Sequence, residues 1–171
     1  MAWLVRHASP VDLPEILRVV TSAFGREDEA RLVERLRASD VWVPGLTLAA
    51  RPSGEPRGPI VGFAALSRIT VGGRPALALA PVAVAPDWQG RGAGSALVRT
   101  GIARAAQCHE RLILVLGDPS YYGRFGFTAA IPLRIHGPYD DAGLAFEALV
   151  LPGSDPVPSG LAVYPDLFDG L

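Results

Sequence analysis

The sequence contains no lysine and no asparagine, and all sixteen of its basic residues are arginine. Codon bias explains this pattern most simply, because alanine, glycine and proline are abundant. The absence of lysine still excludes a phosphate-binding loop that ends in Lys-Ser/Thr, a Schiff-base lysine and a Ser-Lys dyad. Enzymes that depend on any of these groups are therefore excluded.

Metal-binding residues are also scarce. Cys108 is the single cysteine, which excludes an internal disulfide and a Cys-rich metal site. His7, His109 and His136 are far apart in the sequence and none lies in an H-E-x-x-H pattern, so we predict no metal centre. The net charge of -1 gives no support for a nucleic-acid or membrane partner. With no leader and no apolar run of about 18 residues, we expect a cytoplasmic protein.

The length of 171 residues fits one compact domain, which we expect to span residues 1–171. Helices are predicted where apolar residues recur at helical spacing, and strands where short apolar runs lie between turn signals. The predicted helices are 10–24, 27–40, 92–108 and 119–124. The predicted strands are 3–7, 46–50, 60–69, 76–84, 111–116, 127–135 and 146–151, with an edge strand at Val163. Turns are predicted at 51–59 and 71–74.

The order of these elements predicts an α/β fold of the α+β type. Short turns join the strands at 46–50, 60–69 and 76–84, so we expect them to be antiparallel. The helix at 92–108 separates the strands 76–84 and 111–116, which makes a βαβ crossover with parallel neighbours. The expected architecture is a mixed, mostly antiparallel central sheet with one parallel crossover and helices on both faces.

A glycine-rich loop, Gln89-Gly-Arg-Gly-Ala-Gly94, joins the strand 76–84 to the following helix. Glycine lets the backbone approach a ligand closely, and a helix N-terminus adds free N–H donors and a partial positive charge. The loop therefore suits a phosphate or a pyrophosphate. It departs from the dinucleotide fingerprint, because Ser95 stands where a third glycine is needed.

The pattern Gln-x-x-Gly-x-Gly after a strand resembles the acyl-CoA pyrophosphate loop of the GCN5-related N-acetyltransferase (GNAT) family. A second motif, Val115-Leu-Gly-Asp-Pro-Ser-Tyr-Tyr-Gly-Arg-Phe-Gly-Phe127, is similar to that family's aromatic-Tyr-x-x-x-Gly-Phe segment. Its Gly-Asp-Pro-x-Tyr-Tyr form resembles one bacterial subgroup of predicted acetyltransferases. The resemblance covers most of the chain. It implies direct transfer of an acetyl group from acetyl-CoA to a primary amine, without a metal.

The resemblance also implies where acetyl-CoA binds. In the family the pantetheine arm pairs with the strand before the loop, and the pyrophosphate contacts the loop backbone. Pro81, which has no N–H, fits a position where regular strand pairing fails. Arg91 is either a phosphate ligand or a solvated loop charge. The predicted cofactor-binding residues are Val82, Ala83, Val84, Gln89, Gly90, Arg91, Gly92, Ala93, Gly94, Ser95, Tyr122 and Arg124.

Tyr122 occupies the position of the family's general-acid tyrosine, and Tyr121 the preceding aromatic position. A tyrosine hydroxyl can donate a proton to the departing CoA sulfur. The alternative is that both tyrosines are core aromatics, with the Tyr122 hydroxyl bound to backbone.

The attacking amine must lose a proton, because alkylammonium groups titrate near pH 10.4. The candidate bases are Glu29, with its neighbours Glu27 and Asp28, and Asp118. The alternative for residues 27–29 is that they are ordinary carboxylates of a helix N-terminus. The alternative for Asp118 is that it caps the helix that Pro119 begins.

Two other functions stay open. The first is a non-catalytic acyl-CoA-binding sensor or regulatory module, and the second is a nucleotide-binding regulator that uses the same loop. The partners we expect are acetyl-CoA and an unidentified amine acceptor. A homodimer is expected on general grounds.

Overall fold

The computed structural model describes residues 2–55 and 57–169, so Pro56 of the predicted turn and residues 1, 170 and 171 lie outside the described residues. The helices are α1 (Leu13–Phe24), α2 (Asp28–Arg37), α3 (Ala93–Gln107) and α4 (Pro119–Tyr122). The strands are β1 (Trp3–His7), β2 (Trp42–Pro52), β3 (Gly62–Val71), β4 (Arg74–Val84), β5 (Leu112–Leu116), β6 (Thr128–Ala129), β7 (Ile135–His136), β8 (Phe146–Val150) and β9 (Gly160–Val163).

The strands form one mixed sheet in the order β1-β2-β3-β4-β5-β8-β6, and β9 pairs with both β3 and β7. The neighbours from β1 to β4 are antiparallel, whereas β4 and β5 are parallel. Because α3 connects β4 to β5, the predicted βαβ crossover is confirmed. The predicted fold class, a mostly antiparallel sheet with one parallel crossover and helices on both faces, is confirmed as well.

The alternation of side chains along the strands divides the core between the two faces of the sheet. Phe63 and Ala65 of β3 pack against α1 and α2. Ala64 and Leu66, which point the other way, pack against Leu97 of α3. The two cores place α1 and α2 on one side and α3 on the other, as the period of two along a strand requires. No helix among the described residues has both the length and the apolarity to cross a membrane.

The pairing of β4 changes along its length, and this opens the sheet. Its first half pairs with β5 at Leu77 and Ala78. Further along, Ala64 pairs with Val82 and Leu66 with Leu79, so two residues of β4, Ala80 and Pro81, lie opposite one residue of β3. Such a bulge bends a strand and increases its twist. The end of β4 therefore separates from β5, and Pro81 lies at the irregularity that its missing N–H predicted.

The prediction of one strand over 127–135 is wrong. The segment contains the two-residue strands β6 and β7, separated by a 3-10 turn at Ile131–Leu133. Pro132 has no N–H for a sheet ladder, and Arg134 has a φ of +58°, which strand geometry does not allow. The other predicted elements are present with shifted ends. The α1 helix begins after a 3-10 turn at Pro10–Asp12, and α2 ends at Arg37 rather than near Asp40.

Candidate functional site

A cavity of about 550 Å³ lies where β4 ends and α3 begins. It contains most of the residues that the sequence predicted to bind a cofactor. Its lining residues are Val82, Val84, Trp88, Gln89, Gly90, Gly92, Ala93, Gly94, Ser95, Tyr121, Tyr122 and Arg124. The volume is within the roughly 300–1,000 Å³ of typical small-molecule sites.

The glycine-rich loop turns sharply before α3. Gly90 and Gly92 have φ values of +71° and +90°, a backbone region that residues with a side chain rarely adopt. The Ala96 N–H bonds to the Gly92 carbonyl at 3.0 Å, so the N–H groups of residues 93–95 belong to the first turn of α3 and have no partner within the helix. These donors border the cavity and make it suitable for an anion.

Two side chains hold the loop in place. The Gln89 side-chain amide donates to the Val84 carbonyl at 3.0 Å, which ties the loop to the end of β4. The Trp3 indole N–H donates to the Arg91 carbonyl at 3.0 Å and its ring packs edge-on against Trp88. The Arg91 guanidinium lies 5.3 Å from the centre of the Trp88 ring and does not line the cavity. Gln89 and Trp3 therefore support the loop.

The end of β4 exposes backbone groups on the side away from β3. The Ala85 N–H donates to the Val61 carbonyl at 2.9 Å, so the backbone of residue 85 faces β3. Alternation along the strand turns the backbone of Val84 and of Val82 toward the cavity, and the bond from Gln89 to the Val84 carbonyl agrees with this. Ala83 points its backbone toward β3, and its side chain is buried against α1.

Local packing and helix capping explain the first residues of the segment after β5. A side chain at Gly117 would overlap the Tyr122 ring, with a Cβ 2.6 Å from Cδ2. The Asp118 carboxylate accepts from the Ser120 N–H at 2.8 Å, and Pro119 takes the first helical position. The glycine therefore makes room for Tyr122, while the aspartate caps α4. Interaction with the Ser120 side chain, and secondarily this hydrogen bond from its N–H, lowers the pKa of Asp118.

Tyr121 and Arg124 form one wall of the cavity. The Arg124 guanidinium lies 4.4 Å from the centre of the Tyr121 ring, and its Nε donates to the Tyr121 carbonyl at 3.1 Å. A Cβ at Gly94 would lie 2.7 Å from the Tyr121 hydroxyl. Gly94 therefore lets the Tyr121 hydroxyl approach the first turn of α3. Arg124 is an arginine of the cavity lining, whereas Arg91 is not.

A second cavity of about 320 Å³ lies at the point where β4 separates from β5. Val82 and Tyr122 line both cavities, so Tyr122 stands between them. The other lining residues come from the end of α1 through the start of α2, from β4 and β5, and from the segments that follow β5, β7 and β9: Phe24, Arg26, Glu29, Leu32, Ala78, Leu79, Ala80, Pro81, Leu114, Val115, Leu116, Gly117, Tyr139, Tyr164 and Phe168.

Tyr122 is largely buried among aromatic rings. It packs edge-on against Tyr121 and Phe127, at ring-centre distances of 5.0 and 5.7 Å. Burial is the main cause that raises the pKa of Tyr122, with smaller contributions from Tyr121 and from the carboxylate of Glu147. The hydroxyl therefore stays protonated at neutral pH and can donate a hydrogen bond.

Glu147 was not identified from the sequence. This β8 residue is 2% exposed, and its Oε1 has no hydrogen-bond partner among the described residues. Burial, and secondarily the charge of Asp118, raise the pKa of Glu147. Its place in an otherwise apolar strand, Phe146-Glu-Ala-Leu-Val150, is the signal that could have revealed it.

The acidic segment at the start of α2 is neutralised by arginines. Glu29 is buried and pairs with Arg26, whose Nε lies 3.1 Å from both of its oxygens. Glu27 pairs with Arg31 at 2.7 Å, and Asp28 lies 3.7 Å from Arg31. Of the three carboxylates, Glu29 reaches the second cavity. Asp118 lines neither cavity.

Comparison with known proteins gives a consistent result. The family model described as "Acetyltransferase (GNAT) family" matches residues 13–127. The uncharacterized N-acetyltransferase YjhQ of Escherichia coli is 39% identical over 120 residues, which cover 68% of this chain and 64% of YjhQ. The chain therefore spans slightly less than two thirds of that relative. The uncharacterized N-acetyltransferase YhbS of E. coli is 31% identical over 129 residues, 74% of each chain.

Two solved structures are similar over nearly the whole chain. The crystal structure of YhbS from E. coli in complex with CoA has a TM-score of 0.88 and 28% identity, and covers 98% of this chain and 92% of YhbS. A GNAT family acetyltransferase from Brucella melitensis in complex with acetyl-CoA has a TM-score of 0.79 and 30% identity, and covers 98% of this chain and 99% of its own.

Proposed function

Because the chain belongs to the acetyltransferase (GNAT) family, we propose that it transfers an acetyl group from acetyl-CoA to a primary amine by direct attack. The observation that carries the proposal is the position of Tyr122, which lines both the cavity at the start of α3 and the second cavity at the β4–β5 separation. One cavity would hold the donor and the other the acceptor, and the reacting atoms would meet beside Tyr122.

The first cavity suits CoA in two places. The free N–H groups of residues 93–95 and the positive end of the α3 dipole would bind the pyrophosphate. Arg124, in the cavity lining, would supply a cation for the phosphates. The backbone groups of Val82 and Val84 would pair with the amides of the pantetheine arm as an added strand does. The CoA and acetyl-CoA bound in the two related structures support this assignment.

In the reaction the amine nitrogen attacks the thioester carbon, a C–N bond forms and the C–S bond breaks. The Tyr122 hydroxyl would donate its hydrogen to the departing sulfur. Glu29 is the candidate to take the proton that the amine loses, because it lies in the second cavity. Asp118 remains a candidate only by its place after β5, since its carboxylate already caps α4.

The decisive experiment compares Tyr122→Phe with Tyr121→Phe in a thiol-release assay with acetyl-CoA and a panel of amines. Loss of the Tyr122 hydroxyl should lower kcat by about 100-fold or more, the usual range for a general acid. The Kd of acetyl-CoA should stay within about twofold by calorimetry. Removing the Tyr121 hydroxyl should leave kcat nearly unchanged. Equal kcat values for native protein and Tyr122→Phe would refute the role of Tyr122.

The same assay tests the alternative of a non-catalytic acyl-CoA sensor. Heat of acetyl-CoA binding without thiol release on any amine would support the sensor and contradict the enzyme.

We further propose that residues 1–171 are one acyl-CoA N-acyltransferase domain, because a single sheet includes strands from Trp3–His7 to Gly160–Val163. The Gly117-Asp-Pro-Ser-Tyr-Tyr122 segment supports a place in the bacterial subgroup with that motif. The homodimer and the cytoplasmic location stay predictions.

A further inference from the structure

The second cavity has walls that are mainly apolar and aromatic. Tyr139 packs edge-on against Tyr164 at 5.2 Å, and Tyr164 against Phe168 at 5.4 Å. On other sides are Phe24 and Leu116, which are 41% and 49% exposed although both are large apolar residues. Apolar side chains that converge on one cavity and stay open to water are typical of a ligand site.

The cavity offers no free charge among its described lining residues. Its two charged side chains, Arg26 and Glu29, pair with each other through several short contacts. The nearby carboxylates Glu27 and Asp28 are likewise matched by Arg31. An acceptor that carries a second positive or negative charge would therefore find no unpaired partner here. The acidic residues 27–29 taken alone would suit an acceptor with a second positive charge, and their ion pairs with Arg26 and Arg31 argue against such an acceptor.

The size of the cavity limits the acceptor further. About 320 Å³ is near the lower end of the range for small-molecule sites. The cavity has room for an amine with one ring or one branched aliphatic group, placed so that its nitrogen comes to Tyr122 at the boundary with the first cavity.

We propose that the acceptor is a small primary amine with an aromatic body, an arylalkylamine, held by the side chains of Phe24, Leu116, Tyr139 and Tyr164. The inference rests on the proposed function and specifies its substrate class. The amine group would be the only charged group that the acceptor brings, and its aromatic body would cover the exposed apolar side chains and release water from them.

The test is thiol release from acetyl-CoA with 2-phenylethylamine, 1,4-diaminobutane and glycine as acceptors. We expect kcat/KM for 2-phenylethylamine to exceed that for the other two by at least about tenfold, since an apolar pocket discriminates by that amount or more for small changes in apolar size. Equal or greater kcat/KM for the diamine or for glycine would overturn the substrate class while leaving the acetyltransferase function in place. No thiol release with any acceptor would overturn the proposed function and this inference with it.

A matched pair of variants tests whether the preference for 2-phenylethylamine depends on the second cavity. Leu116→Ser removes an apolar side chain from the cavity, and Leu144→Ser removes one that is 71% exposed and outside both cavities. Leu116→Ser should lower kcat/KM for 2-phenylethylamine by about fivefold or more, with an unchanged KM for acetyl-CoA. Leu144→Ser should change neither. A Leu116→Ser protein that keeps its thermal midpoint and its full kcat/KM for 2-phenylethylamine would contradict the assignment.

Discussion

Gly117 is the position where a single methyl group should disturb the site most directly. Its Cβ would overlap the Tyr122 ring and lie 2.6 Å from Cδ2, where carbon atoms normally keep about 3.5–4 Å. The ring has little room to move, because Tyr121, Phe125 and Phe127 surround it. Overpacking of this kind costs about 1–3 kcal/mol. We expect Gly117→Ala to lower the free energy of unfolding by about 2 kcal/mol, and the thermal midpoint by roughly 4–8 °C.

A double-mutant cycle identifies the cause. In a Tyr122→Ala background the methyl group has no ring to meet, so Gly117→Ala should cost less than about 0.5 kcal/mol. Gly123→Ala is the matched control, since no atom lies within 4 Å of its Cβ and its φ of -55° suits alanine. That variant should be neutral or stabilising by up to about 1 kcal/mol. Denaturant unfolding measures the stability of all five proteins: the native chain, the two single variants and the double variant of the cycle, and the Gly123→Ala control. An equal cost of Gly117→Ala in both backgrounds would refute the explanation through Tyr122.

Three further predictions test the loop and the buried charges. Gly90→Ala and Gly73→Ala both place alanine at a positive φ with no clash, so each should cost about 1 kcal/mol of stability. Only Gly90→Ala should weaken acetyl-CoA binding in calorimetry. Equal Kd values of the two variants for acetyl-CoA would contradict a role of the loop in binding. Because the pKa of Glu147 is raised in the folded protein, its charge destabilises the fold once pH exceeds the unfolded pKa near 4.3. The stability that Glu147→Gln gains over the native protein should therefore be larger at pH 8 than at pH 4. A gain that is independent of pH would contradict the raised pKa. Because Arg6 and Ser9 lower the pKa of Asp12, Asp12→Asn should lower the free energy of unfolding by about 3 kcal/mol at pH 7. This difference from the native protein should shrink below about pH 4, where the unfolded aspartate becomes protonated. A constant difference in urea unfolding down to pH 2 would be evidence against the ion pair.

Much of the candidate site could be predicted from short stretches of sequence. The loop from Gln89 to Gly94 lies where a buried strand meets a helix, and the ten predicted cofactor-binding residues other than Tyr122 and Arg124 all lie between Val82 and Ser95. The conformation of such a segment is determined by local sequence, because glycine φ angles and free N–H groups at a helix start depend on near neighbours. Helix capping by Asp118 is also a local interaction, which is why the sequence alone indicated it as the alternative to a role as a base.

Other features depend on residues that are distant in the chain. Trp3 supports the loop from 88 positions away, and Glu147 lies close enough to Tyr122 to affect its pKa. The break of the predicted strand 127–135 follows partly from Pro132, but the partners of its two halves, β8 and β9, depend on pairing across the sheet. No local pattern indicates which distant strand a short segment will meet, because that choice depends on how the whole sheet packs.

The sequence by itself determined that any phosphate site would lack lysine, which leaves arginine and the backbone N–H groups of the glycine-rich helix start as its main candidate donors. It also determined the βαβ crossover, because a helix between two apolar strands leaves few other arrangements. Only the tertiary structure decided that Tyr122 stands between two cavities and that Glu29, buried beside its sequence neighbour Arg26, reaches the second of them. These relations arise where the bulge at Ala80 and Pro81 separates β4 from β5, and so they depend on the packing of segments that are far apart in the chain.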